Sequence, residues 1–193
     1  MVGGLLRFLL LLAIALGLAA CSKAATPSFD PTGACSADGS APGAYPDLEA
    51  RVPTSYRDDP PQILDSGRSC TPASLGALAG LGFKEVRFAG GTWSFGAERA
   101  IVLAVFTAPG LGADQVGDFY AASAEAASRT EILADSPATI ADRPARRLDT
   151  KTGERLQTVV VWPASQPDLV NVVVTNDLPE PRIADAIAAF GTR

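Results

Sequence analysis

The sequence predicts an α+β fold, a mainly antiparallel sheet with three helices packed on it. Three observations carry that expectation. Short runs alternate with period two or are continuously apolar, as strands require, among them 101–106, 158–162 and 170–174. Three other stretches place apolar residues at helical spacing between start and stop signals. Consecutive strand candidates are joined by short turns, which favours antiparallel neighbours.

In chain order, 48–52 is a candidate first strand, and Asp58-Asp59-Pro60-Pro61 and Asp65-Ser66-Gly67 read as turns. Thr71-Pro72 offers a hydroxyl cap followed by proline at the first helical position. Leu75, Leu78 and Ala79 then share a face, and Gly82 can end the helix. Residues 83–95 change to period two, with Val86 and Phe88 opposite Glu85 and Arg87. Gly90-Gly91 reads as a two-residue hairpin turn or as a bulge. The bulge is favoured, because Trp93 and Phe95 resume the alternation with its parity shifted by one. Residues 101–106 are the most apolar run after the N-terminal segment and predict a central strand.

Gly112-Ala113-Asp114 opens a second helix whose apolar face is Val116, Phe119, Tyr120, Ala124 and Ala127, ending near Arg129. A strand is expected at 131–133, and 138–140 and 145–149 flank Asp142-Arg143 as a pair. Thr152-Gly153-Glu154 is a turn, and 158–162 and 170–174 form a hairpin through the proline-containing loop 163–168. Pro179 and Pro181 open the last helix, with Ile183, Ala186, Ile187 and Phe190 on its buried face.

The N-terminus carries an address. Residues 1–7 hold one positive charge, and 8–18 are almost unbroken apolar sequence, too short for the ~20 residues of a spanning helix. Leu18-Ala19-Ala20-Cys21 closes the run and resembles the lipobox of bacterial lipoproteins. An uncleaved anchor and an ordinary signal peptide cut after Ala-Xaa-Ala are the alternatives. The resemblance implies a signal peptide at 1–20 and lipidation of Cys21 by diacylglycerol and an N-acyl chain such as palmitate. It also implies export and anchoring to the outer face of the cytoplasmic membrane, or to an outer membrane where the host has one. Two or three chains hold far better than one, at about 0.8 kcal/mol per buried methylene.

Residues 21–47 are rich in Pro, Ser, Gly and Ala and read as a flexible tether, leaving 48–193 as one α+β domain. In an exported chain the remaining pair, Cys35 and Cys70, reads as a disulfide, with two free thiols as the alternative. The bridge would leave a leash from Cys21 to Cys35 of about 14 residues, with a root-mean-square reach of roughly 20 Å.

Residues 48–53, Ala108-Pro109-Gly110-Leu111 ahead of the second helix, the pair within 140–148 and the valine-rich hairpin near the end together resemble the Mog/PsbP-like sandwich fold. They also resemble exported lipoproteins of high-GC bacteria that place such a domain behind a lipobox and a linker. The resemblance implies an accessory or binding role and transfers no catalytic residue.

Composition excludes several chemistries. There is no histidine, which removes histidine-activated nucleophiles, histidine bases and histidine-ligated zinc. Thr92-Trp93-Ser94-Phe95-Gly96 lacks the first glycine of a nucleophile elbow, and Lys151-Thr152-Gly153 has no Ser-Xaa-Xaa-Lys to accompany it. Gly80-Xaa-Gly82 lacks a third glycine, so no cofactor is expected. The chain holds 16 basic against 21 acidic residues, a net charge of −5. Removing 1–20 deletes only Arg7 among the charged residues, and an acidic chain of this kind is not a nucleic-acid binder.

Asp58, Asp59 and Asp65 weigh as calcium ligands against solvated turn residues, with the turn favoured and no metal expected. Arg143, Arg146, Arg147, Lys151 and Arg155 form the one basic neighbourhood, a candidate patch for an anionic partner weighed against the favoured alternative, the solvated side of a sheet ion-paired with Asp142, Asp149 and Glu154. Trp93 and Trp162 read as core. The expectation is therefore a non-enzymatic, membrane-anchored binding or accessory module for an envelope protein or small ligand. A carrier of small ligands or lipids and a carboxylate-dependent hydrolase are the alternatives. A large apolar pocket favours the carrier, and two close carboxylates with a raised pKa favour the hydrolase.

Overall fold

Among the described residues, eight strands make one open antiparallel sheet: β1 (Gly39–Ala41), β2 (Ile63–Ser69), β3 (Val86–Ser94), β4 (Ala100–Thr107), β5 (Thr130–Ile140), β6 (Arg143–Thr152), β7 (Arg155–Pro163) and β8 (Leu169–Asn176). Their order is β1-β2-β3-β4-β8-β7-β6-β5, so two four-stranded meanders meet along β4 and β8, with Ile101 opposite Thr175 and Ala104 opposite Val172. This computed structural model describes residues 29–140 and 142–191; Cys21 and the apolar run before it lie outside them. Helix α4 (Ala113–Ala126) carries the chain from β4 to the far edge at β5, and α5 (Glu180–Ala189) follows β8.

The central strands of the sheet are buried on both faces. Ala89, Trp93, Ile101, Leu103, Val160 and Val173 form one face with Leu48, Val52 and Tyr56 and with Ile183, Ala186 and Phe190 of α5. Val86, Ala104, Leu148, Val159, Val161 and Val172 form the other, under Val116 and Ala121 of α4. Consecutive valines in β7 and β8 thus serve opposite layers, because side chains alternate across a strand. Each fully buried aliphatic side chain contributes roughly 1.5–3 kcal/mol.

This architecture corrects the expected fold class. Three helices packed on a sheet, the α+β arrangement of Mog/PsbP-like proteins, is not what forms. One open sheet dominates, and of the five helices among the described residues only α4 and α5 reach seven residues. The expected first helix breaks at Gly76, whose φ of 50° and ψ of −127° separate α2 (Pro72–Leu75) from α3 (Ala77–Gly80). Its start does use Thr71, whose hydroxyl accepts from the Ser74 N–H. The segment expected as a first strand instead begins in α1 (Pro46–Glu49), with proline at the first helical position and acidic residues in the first turn.

Gly90-Gly91 is neither bulge nor turn. β3 pairs without a shift through both glycines, to β2 on one side and β4 on the other. The apparent parity shift arises because Val86 serves the α4 face while Ala89 and Trp93 serve the α5 face. A Cβ at Gly91 would lie 2.9 Å from Trp93 Cη2, so the glycine leaves room for the indole.

Residues 29–47, expected as tether, are built into the sheet edge. β1 pairs with β2, and Cys35 is joined to Cys70 by a disulfide with Cα atoms 5.4 Å apart. The buried Arg68 guanidinium donates to the carbonyls of Gly33 (2.8 Å), Asp30 (3.1 Å) and Ala34 (3.1 Å) and lies 5.5 Å from the Phe29 ring centroid. Asp38 accepts from the Cys70 and Thr71 N–H groups and from the Thr71 and Ser74 hydroxyls. The Cys70 N–H is the largest cause holding its carboxyl far below the usual range. Composition alone suggested a leash because the stabilising contacts here are polar and long-range.

Candidate functional site

The basic neighbourhood predicted from sequence does not form one patch. β6 sends alternate side chains to opposite faces of the sheet. Arg146 faces α4, donating to both oxygens of Asp135 (2.7 and 2.6 Å) and to Asp118 (2.6 Å). Arg147 faces α5, donating to Asp149 (2.8 Å) and to both oxygens of Glu180 (2.7 and 2.9 Å). Lys151 pairs with Glu154 at 3.5 Å, and Arg155 pairs with Glu98. Hydrogen bonds donated to Asp135 and Asp118 raise the pKa of Arg146, and those donated to Glu180 and Asp149 raise that of Arg147. Arg143 differs. Among the described residues it has no carboxylate partner, only a 3.5 Å contact from Nη1 to the Pro163 carbonyl.

Arg143 lines a groove of about 590 Å³ between α5 and the β5–β6 hairpin. Helix α5 makes the groove by having two stripes. Ile183, Ala186 and Phe190 face the sheet, whereas Ala184, Ile187 and Ala188 stand beside them and line the opening. Ile140 and Trp162 complete the apolar wall. Trp162 is 4% exposed and held edge-on by Phe190, with ring centroids 5.1 Å apart. At the mouth, Glu180 is already occupied by Arg147, which in turn is fixed by Asp149 and, through it, by the Thr158 hydroxyl at 2.5 Å. The arrangement presents an apolar wall and a cation without a carboxylate partner among the described residues, within the size range of small-molecule sites of ~300–1,000 Å³.

Trp162 is a core residue, as read from sequence, and in addition lines the groove. Sequence reasoning missed Ala184 and Ala188 because small residues on the outer side of a helix resemble ordinary solvent-facing positions. The signal available was that Ile187 sits among them.

The other flagged residues take ordinary positions. Asp58, Asp59 and Asp65 are not gathered: the Asp59 carbonyl accepts from Trp93 Nε1 at 2.9 Å and Asp65 accepts from Ser40. No group of three or more potential metal ligands occurs among the described residues. Ser94 lies in β3, its N–H bonded to Gln62, and Gly153 makes the β6–β7 turn with a φ of 63°. The carboxylates with displaced pKa values, Asp30, Asp38 and Asp135, are all shifted downward, chiefly by the Thr32 hydroxyl, the Cys70 N–H and the Arg146 guanidinium. None of these three is poised as a general acid near neutral pH. No described helix is long and apolar enough to cross a membrane. No protein-family model matches the chain, and no curated protein matches it.

Proposed function

We propose that this protein is a lipid-anchored extracytoplasmic binding module, without catalytic activity, whose domain holds an amphipathic ligand with an anionic head in the groove beside α5. The observation that carries the reading is the pairing of the apolar wall with Arg143, the one member of the basic neighbourhood without a carboxylate partner among the described residues. The acyl part of the ligand lies along Trp162 and Ile187, and its head meets the guanidinium. Leu-Ala-Ala-Cys at 18–21 supports the anchor.

The test is tryptophan fluorescence of the full chain in nanodiscs, titrated with decanoate and with its neutral methyl ester. Decanoate should change the emission saturably. Arg143→Gln should weaken decanoate about tenfold, the effect of losing ~1.4 kcal/mol, and leave the ester unchanged. Ile187→Asp should abolish both. A decanoate response that never saturates, or that survives Ile187→Asp, overturns the proposal. For the anchor, Cys21→Ala should move the protein out of the membrane fraction; persistence there overturns that part.

A further inference from the structure

A separate cavity of about 360 Å³ opens between α1 and the loop that joins β7 to β8. Leu48 and Leu169 in its wall belong to the α5 side of the sheet. Two arginines line it, Arg51 just after α1 and Arg87 on β3. Each is oriented by a neighbour. With the Gln166 amide turned so that its oxygen meets the guanidinium, that oxygen accepts from Arg51 Nη1 at 3.2 Å and from Nη2 at 3.0 Å. Arg87 lies over the Tyr45 ring, 5.0 Å from its centroid, and its Nε donates to Glu85 at 2.7 Å. Both Nη groups of Arg87 are left without a partner among the described residues, and Arg51 has no carboxylate partner there.

Strand register adds a third cation. Arg87 stands directly opposite Arg68 across β3 and β2, so the two side chains share a face, where like charges repel. Arg68 is 5% exposed and gives its Nη groups to backbone carbonyls instead of a carboxylate. Its Nε is the buried side-chain polar atom that lacks a partner among the described residues. Tyr45 connects the two arginines: its ring lies under Arg87, and its hydroxyl donates to the Pro31 carbonyl that Arg68 Nη1 also reaches. Positive charge sequestered without a counterion costs free energy, and a bound anion offsets that cost.

We infer that this cavity binds a small organic phosphate, a phosphomonoester dianion. Its phosphate meets the guanidiniums of Arg51 and Arg87, and its organic part lies against Leu48, Pro167 and Leu169. A phosphomonoester brings up to about two charges and three acceptor oxygens, which suits two guanidinium forks from different elements better than a single carboxylate does. Asp47, exposed in the lining, disfavours an organic part that carries further negative charge.

The inference is independent of the groove and of the anchor. Calorimetric titration of the full chain in dodecyl maltoside, which contains no phosphate, tests it. The probe is glycerol 3-phosphate, with dimethyl phosphate, propionate and glycerol as comparators. Glycerol 3-phosphate should bind saturably, and each comparator should bind at least tenfold more weakly. Arg51→Gln and Arg87→Gln should each weaken glycerol 3-phosphate tenfold or more, with the melting temperature of the free protein showing that each variant is folded. Arg51→Lys should recover part of the loss by restoring the charge without the fork. Ile187→Asp, in the groove, should leave binding unchanged. No saturable binding of glycerol 3-phosphate, equal binding of any comparator, or unchanged affinity in either folded glutamine variant overturns the inference.

Discussion

Arg146 and Arg147 are adjacent in sequence and serve opposite sides of the molecule. Arg146 lies across α4 where Gly117 leaves space; a Cβ there would come within 2.8 Å of Arg146 Cδ. It ties the middle of α4 to the edge strand β5 through Asp118 and Asp135. Arg147 ties the first turn of α5 to β6 through Glu180 and Asp149. One residue of displacement along a strand thus assigns two like charges to two different helices. A basic cluster read along a sequence becomes a surface patch only when its members share a face. Here the alternation disperses them, and Arg143, the member without a carboxylate partner among the described residues, is the one that lines the groove.

The largest effects should come from the apolar layers that these arginines flank. Trp93→Ala on the α5 face should cost about 3–5 kcal/mol and Leu148→Ala on the α4 face about 2–5 kcal/mol in chemical denaturation. A single transition in both variants would show that the faces unfold together, and a second transition in either would separate them. Next come the arginines. Arg146→Met and Arg147→Met should each destabilise by about 1 kcal/mol, since both pairs are partly exposed. Lys151→Met should be nearly silent, because its partner Glu154 is 97% exposed. A strong effect of Lys151 with none from Arg146 would break the comparison.

Acid sharpens it further. Asp135 titrates below its ordinary value of 3.8 in the folded state because Arg146 holds it ionised, and Asp38 does so through its N–H and hydroxyl donors. A carboxylate depressed in this way contributes stability that is present above pH ~3.8 and is lost as pH falls toward the folded value. Melting temperature should therefore drop below pH 4, and Asp135→Asn should flatten part of that fall at the cost of stability at pH 7. Asp38→Asn should flatten another part, reporting on the N-terminal arm instead of α4.

The elements that were legible in sequence are those whose local signals agree with their burial. Thr71-Pro72 starts a helix because its cap is self-contained, and 158–162 with 170–174 pairs as β7 and β8 because a valine-rich run suits a strand buried on both faces. β2 was not legible. Asp65, Ser66 and Gly67 read as a turn, yet Ser66 is fully buried, donating to Glu49 and accepting from the Tyr45 N–H. Its partners lie 17 and 21 residues away, beyond any local pattern. β5 was read as two pieces around Pro137; as an edge strand it tolerates both that proline and the register shift between Ile132 and Ala134. The groove was illegible because it depends on how far α5 stands from a hairpin contributed by a different part of the chain.

If Cys21 anchors the chain as proposed, the grip of Arg68 on residues 30–34 would set the range over which the domain can search. Under the proposed anchor, seven residues separate Cys21 from Phe29, and a chain of that length reaches at most about 29 Å. Confinement to a half-sphere of that radius corresponds to an effective concentration of tens of millimolar, the regime of short linkers. The sheet itself spans about 34 Å from β1 to β5 at the usual strand spacing. The lever arm from that point to the groove is therefore about as long as this reach, and under the proposed anchor the domain's own swing would govern how often the groove meets anything bound to the same membrane.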